Sequence, residues 1–191
     1  MLEIRKATAF DAEKILEYCQ VIGGESDNLT FGKEGVSRTI DREKEYLDSI
    51  FHSDRQLYLV ATKDNEIVGT ANLSSFEKPR LAHRAEIGLS VKKSMWGNHI
   101  GTRFMETIID FAKNTAKIEI ISLEVRSDNK RAIALYKKFG FETIGTFCGF
   151  MKINCLVSAV SGKCRCSRDS ARIRCIFFLI VVLRRPSCRY P

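Results

Sequence analysis

Residues 92–101, KKSMWGNHIG, have the clearest chemical capacity in this 191-residue chain. Before them, Ala85, Ile87, Leu89 and Val91 alternate with Glu86, Gly88 and Ser90, the period of two that marks a half-buried strand. After them, Ile100, Phe104, Met105, Ile108, Ile109, Phe111 and Ala112 recur at helical spacing. A strand that turns into a helix leaves the first helical N–H groups without partners and puts the positive end of the helix dipole beside them. That combination suits a phosphate. The turn is therefore expected to grip the pyrophosphate of a cofactor.

The elements around this turn follow from their own signals. Residues 2–7 alternate as a first strand. Thr8 and Asp11 have capping-box spacing, opening a helix that buries Ile15, Leu16, Cys19 and Ile22 and is expected to stop at Gly23-Gly24. A polar loop, 23–35, leads to a second helix whose apolar stripe is Val36, Ile40, Tyr46, Leu47, Ile50 and Phe51. Residues 57–62 and 67–76 read as strands joined by a hairpin turn at Lys63-Asp64-Asn65. Residues 118–125, IEIISLEV, suit a central strand covered on both faces. Asn129 is a good N-cap for a helix over 130–139, and Gly140 with Phe141 fits a Schellman ending. A further strand, 142–153, follows. The expected class is α/β with mixed elements: a mixed sheet with helices on its faces.

Composition divides the chain near residue 154. The net charge is +8, but residues 155–191 hold eight Lys/Arg and one Asp, so residues 1–154 carry only +1. The body is no electrostatic nucleic-acid binder. The segment 155–191 is crowded with Arg, Ser and Cys and has no period, apart from one apolar run. Zinc binding at Cys164 and Cys166 and nucleic-acid binding are the functional readings of it; no metal is expected, since the pair stands alone and the segment has no His. The favoured reading is a tail foreign to the domain, as if the reading frame had slipped near residue 154. If it joins the fold, residues 176–183 are the piece fit to be a strand. The N-terminus shows no signal-peptide pattern, and no apolar run approaches the roughly 20 residues of a membrane span. The expectation is a cytoplasmic protein with one domain, 1–154, and an atypical tail.

Residues 85–113 and 123–145 resemble the GCN5-related N-acetyltransferase (GNAT) superfamily. Asn129, Ala132, Leu135, Tyr136, Gly140 and Phe141 stand at the family's spacing. The pattern Arg/Gln-x-x-Gly-x-Gly/Ala is met less well, with Trp96 in the basic position, His99 at the first Gly and Gly101 at the last. A Gly there accepts positive φ; His takes that conformation at some cost. An imidazolium of His99 could contact phosphate, or the ring could face solvent.

The resemblance implies a central, mostly antiparallel sheet with a splayed strand pair, and acetyl transfer from acetyl-CoA to a primary amine by direct attack. It implies that the backbone of Leu89, Ser90 and Val91 pairs with the pantetheine arm. Trp96, Gly97, Asn98, His99, Ile100, Gly101 and Thr102 would cradle the pyrophosphate, and Asn129 would meet the arm from the other side. Tyr136 stands where the family keeps the acid for the departing thiolate, and a phenol near pKa 10 is matched to a thiol. Glu86, on the polar face of its strand, is the candidate base or substrate anchor, and a backbone N–H near Leu89 the oxyanion donor. Glu25, Asn28 and Phe31 lie in the loop that resembles the acceptor-binding region. Family relatives often pair, so a homodimer is one expected assembly. The alternative is a non-catalytic acetyl-CoA-binding or interaction protein on the same fold.

Overall fold

The computed structural model describes residues 1–148 and 177–184. The elements run β1 (Leu2–Lys6), α1 (Ala12–Glu25), α2 (Ile40–Phe51), β2 (Leu57–Lys63), β3 (Glu66–Ser75), β4 (Arg84–Val91), α3 (Ile100–Asn114), β5 (Ile120–Arg126), α4 (Lys130–Lys138), β6 (Glu142–Cys148) and β7 (Phe177–Arg184). The strands form one seven-stranded sheet in the order β1-β2-β3-β4-β5-β7-β6. Neighbours are antiparallel except β4 and β5, which are parallel. This is the expected mixed, mostly antiparallel sheet.

The β4–β5 ladder is short. It pairs Arg84 with Ile120, Ala85 with Ile121 and Glu86 with Ser122, and goes no further. Beyond Glu86, β4 stays paired with β3 as far as Val91. Beyond Ser122, β5 stays paired with β7 as far as Arg126. The two strands therefore part in the middle of the sheet. Helices cover both faces. Ile15, Tyr18, Cys19 and Ile22 of α1 and Leu47 of α2 pack with Val60 and Ile67 on one face. Phe104, Met105 and Ile108 of α3 and Tyr136 of α4 pack with Leu59, Leu73 and Ile87 on the other.

Local signals explain most boundaries. Asp64 and Asn65 both take positive φ, 52° and 67°, as a two-residue type I′ hairpin turn needs. Asn129 Oδ1 accepts from the Ala132 N–H at 3.1 Å and caps α4. Gly140 (φ 82°) closes it: its N–H donates to Lys137 C=O at 3.0 Å, and the Phe141 N–H to Tyr136 C=O at 3.2 Å, the two bonds of a Schellman motif.

Four expectations are corrected. Gly23-Gly24 does not stop α1, which runs to Glu25. A Cβ on Gly23 would lie 1.9 Å from the Gly32 carbonyl oxygen, so the glycine admits the returning loop rather than ending the helix. The buried stripe of α2 is Glu43, Leu47 and Ile50, whereas Ile40 and Phe51 are exposed. Glu43 is buried because Arg38 reaches it at 2.9 Å and lies over the Tyr46 ring at 4.2 Å. Strand β5 is not covered throughout, since Glu124 is exposed where the strands part. Finally, β7 comes from beyond residue 154, so the expected domain boundary cuts the sheet. It is the piece singled out as fit to be a strand. Cys164 and Cys166 lie outside the described residues.

At the start of α1, Asp11 is nearly buried and accepts two hydrogen bonds from Arg5 at 2.7 and 2.8 Å, and others from Thr8 N and Oγ1 at 2.8 and 2.9 Å. Burial alone would raise its pKa; these bonds overcome the penalty and hold it at about 2. A folded-state pKa below the unfolded value of about 3.9 contributes stability above that pH and loses it as pH falls toward 2. Asp11→Ala is expected to cost about 1–3 kcal/mol in denaturant unfolding at neutral pH. The difference from the parent protein should shrink when the same titrations are run near pH 2.5.

Candidate active site

The parting of β4 and β5 opens a cavity of about 810 Å³ that is lined from both faces of the sheet. From the α3–α4 face come Leu89, Ile100, Gly101, Leu135 and Tyr136, and from the α1–α2 face Phe31, Val36, Arg38, Tyr46 and Tyr58. The slot thus passes through the sheet.

Its main-chain edge is fixed by strand geometry. The Lys92 N–H donates to Val68 C=O of β3 at 2.9 Å. Main-chain groups alternate sides along a strand, so those of Ser90 face β3 and those of Leu89 and Val91 face the split. Ser90 also lines the cavity, but its Oγ is held by Tyr18 Oη at 3.0 Å and Thr70 Oγ1 at 3.1 Å. Of the three residues expected to offer backbone, Leu89 and Val91 thus turn theirs to the split and Ser90 turns its own to β3. Val91 C=O is engaged by the Trp96 indole N–H at 3.0 Å, which ties the turn back to the strand.

The turn ends at His99, whose φ of 58° and ψ of 13° are left-handed. No side chain caps the first amides of α3. A Cβ on Gly97 (φ 88°) would meet nothing within 4 Å, so the turn is open on its outer side. Gly101 serves a different end: a Cβ there would press on Leu135 Cδ2 of α4 at 3.0 Å, so the glycine eases the close approach of α3 and α4. Trp96, Gly97, His99, Ile100, Gly101 and Thr102 all line the cavity. Asn98 is outside the lining, its amide donating to Met95 C=O at 3.0 Å. These open amides, the open glycine and the free Leu89 edge fit a diphosphate joined to an extended amide-bearing arm.

Tyr136 is 7% exposed, and burial alone pushes its phenol up to about 12, above the value near 10 expected of a free phenol. It occupies the third position from the end of α4, so the Schellman closure brings Phe141 against its ring, with centroids 5.8 Å apart. The N-cap Asn129 also lines the cavity. One capped helix therefore carries both residues to the slot.

The α1–α2 face of the split carries two carboxylates from the parting strands. Glu86 lies on it, exposed, at the last position of β4 that pairs with β5 but outside the cavity lining. Glu124, two residues past the partner of Glu86 and on the same face, lines the cavity. Desolvation raises its pKa above the usual carboxylate range, and the Glu86 carboxylate raises it further. Sequence reasoning missed Glu124, because in an apolar run it reads as an interruption; register against Glu86 is the signal that finds it. Asn28 and Phe31 line the cavity. Glu25 also lines it, and its carboxylate accepts from the Lys93 N–H at 2.8 Å, steadying the turn. Cys19 is a core residue as expected, with burial raising its thiol to about 11. Among the described residues no His/Cys/Asp/Glu group is arranged to hold a metal, and no helix is long and apolar enough to cross a membrane.

Residues 27–141 match the profile of the Acetyltransferase (GNAT) family. The chain is 37% identical over 89 residues to the L-amino acid N-acetyltransferase AaaT of Escherichia coli (strain K12), which covers 46% of this chain and 54% of that protein. It spans about half the length of the curated relatives it matches. Its fold is that of a GNAT-family acetyltransferase from Streptococcus pneumoniae, with a TM-score of 0.83 at 22% identity, covering 96% of this chain and 99% of that one. It also matches the putative acetyltransferase yncA from Salmonella typhimurium, solved with its cofactor acetyl-CoA, with a TM-score of 0.74 at 16% identity over 100% and 98% of the two chains.

The left-handed His99 makes a prediction about strain. His99→Gly is expected to stabilise the protein by about 0.5–1 kcal/mol, provided the glycine keeps the turn, whereas a β-branched His99→Val should cost about 1–3 kcal/mol. Thermal and denaturant unfolding of the two variants check the opposite signs.

Proposed function

The chain belongs to the Acetyltransferase (GNAT) family, and on that premise we propose that it is an N-acetyltransferase moving an acetyl group from acetyl-CoA to a primary amine in a ternary complex. The observation that carries the reading is the slot itself. It runs from the uncapped start of α3, past the free Leu89 edge and the Tyr136 phenol, to a carboxylate-lined acceptor face. Acetyl-CoA supplies an activated thioester carbonyl when bound. The first amides of α3 hold its diphosphate, and the main-chain edge of Leu89 and Val91 pairs with its amide-bearing arm.

An ammonium has no lone pair, so the acceptor must lose a proton before it attacks. Glu124 takes it, directly or through one water; Glu86 raises the proton affinity of Glu124 rather than acting as the base itself. The Leu89 N–H donates to the thioester oxygen as negative charge gathers there. As the C–N bond forms and the C–S bond breaks, Tyr136 donates its hydroxyl proton toward the sulfur. Burial has lifted this phenol to about 12, and the same dry surroundings raise the proton affinity of a thiolate, so donor and acceptor stay matched. These groups account for both proton movements, so the reading includes no metal.

Glu25, Asn28 and Phe31 form the acceptor wall, and the relative acting on L-amino acids makes an α-amino group the first acceptor to try. The reading takes the enzyme to be cytoplasmic, with a homodimer as the assembly carried over from the resemblance.

Thiol release from acetyl-CoA across a panel of amino acids and polyamines tests the activity. Tyr136→Phe should lower kcat by about 10²-fold, with a much smaller change in KM for acetyl-CoA. No turnover with any amine, or an unaffected Tyr136→Phe, would remove the assignment. The pH profile separates the two carboxylates. The base must be deprotonated, so kcat/KM should fall as pH drops through the raised Glu124 pKa. Glu124→Gln should abolish that acidic limb along with most of the rate, whereas Glu86→Gln should keep activity and move the limb to lower pH. A limb that stays in place in Glu86→Gln contradicts the pairing.

A further inference from the structure

The turn at the start of α3 lacks a cation of its own at the position where the family pattern places Arg or Gln; that position is Trp96. The structure shows what stands over it. The guanidinium of Arg131, from the first turn of α4, lies 4.6 Å from the centre of the Trp96 ring, and both side chains line the cavity beside Gly97 and His99. The ring is not free to wander, because its indole N–H is bonded to Val91 C=O at 3.0 Å. A guanidinium stacked on an aromatic face keeps its in-plane N–H groups available, and those are the groups that recognise an oxyanion.

The placement of Arg131 is also against local preference. The first turn of α4 holds Lys130 and Arg131 and no acidic residue, so both cations face the positive end of the helix dipole. An anion held between the starts of α3 and α4 would reverse that cost.

We propose that Arg131, shelved on Trp96, is a diphosphate-binding residue that supplies from α4 the cation missing at the Trp96 position. The proposal rests on the acetyl-CoA reading for its ligand but not on catalysis. The tryptophan shelf fixes where the charge sits, and Arg131 provides charge-assisted hydrogen bonds to the diphosphate oxygens that the uncapped α3 amides already approach. Because Trp96 stands on the turn that leads into α3 and Arg131 on α4, binding would also hold that turn and the start of α4 together across the slot.

Trp96 is the only tryptophan of the chain, so its fluorescence reports binding directly in the full-length protein. Titration with CoA should change that signal saturably. Arg131→Ala should weaken CoA about tenfold, the scale of one lost charge-assisted contact, without moving the thermal midpoint, since Arg131 is exposed. The same loss is expected with 3′-dephospho-CoA, and no loss with pantetheine, which has no phosphate. Calorimetry on Arg131→Ala combined with Trp96→Arg should recover most of the affinity by restoring a cation on the turn. CoA affinity within twofold of the parent protein in Arg131→Ala overturns the proposal, as does a loss seen with CoA but not with 3′-dephospho-CoA. CoA binding without turnover of any amine would sink only the catalytic reading. A parent protein that does not bind CoA would sink both.

Discussion

The proposed chemistry depends on one interruption of hydrogen bonding, the parting of β4 from β5 after Glu86 and Ser122. A strand edge inside a sheet ordinarily has a partner for every main-chain group, and leaving such groups unmatched away from water is costly. The protein keeps the gap open by holding both strands from their outer sides. β4 is paired with β3 through Val91, and the turn that follows is tied down by Trp96 on Val91 and by Glu25 on Lys93. β5 is paired along its length with β7, and Arg126 at its end bonds Asp128 at 2.7 Å and the Asp27 carbonyl at 3.0 Å. The last contact also hangs the α1–α2 loop on the splayed strand, so that side of the cavity and the split are set together.

From this gap the division of labour follows. One face of the sheet is closed by α3, whose uncapped start presents amides, and by α4, whose capped helix carries the Tyr136 phenol. The other is closed by α1 and α2, under which lie the Tyr18–Ser90–Thr70 hydroxyl chain and the Arg38–Glu43 pair. A thioester lying in the split would have its sulfur on the phenol side and its carbonyl open to a nucleophile from the carboxylate side. On the proposed reading the sheet is the partition that keeps cofactor and acceptor apart except at the reacting atoms.

The sequence is most readable where a structural need is met within a few residues. The cap at Asn129, the Schellman closure at Gly140 and Phe141, the hairpin at Asp64-Asn65 and the strand–turn–helix around Trp96 all declare themselves locally. Tyr136 is found for the same reason, being pinned to a helix that begins and ends by local rules. Legibility fails where the cause lies elsewhere in the chain. Gly23 reads as a stop, because nothing nearby shows that Gly32 will pack on it. Glu43 reads as solvated until Arg38 is seen over it. Glu124 reads as an oddity in an apolar strand until register sets it beside Glu86, and Ser90 reads as a backbone contact for the cofactor arm until its pairing with Thr70 turns its main-chain groups to β3. These are long-range pairings, and one-dimensional periodicity carries no information about them.

The central claim is that the Leu89 edge of β4 waits for the arm of a thioester cofactor. Amide hydrogen exchange of Leu89, followed residue by residue with and without acetyl-CoA, tests it at one N–H group. The account predicts that saturating acetyl-CoA slows Leu89 exchange strongly, while Ser90, already committed to β3, changes little. Acetyl-CoA that binds yet leaves Leu89 exchange unaltered would contradict it, since the cofactor would then lie outside the split.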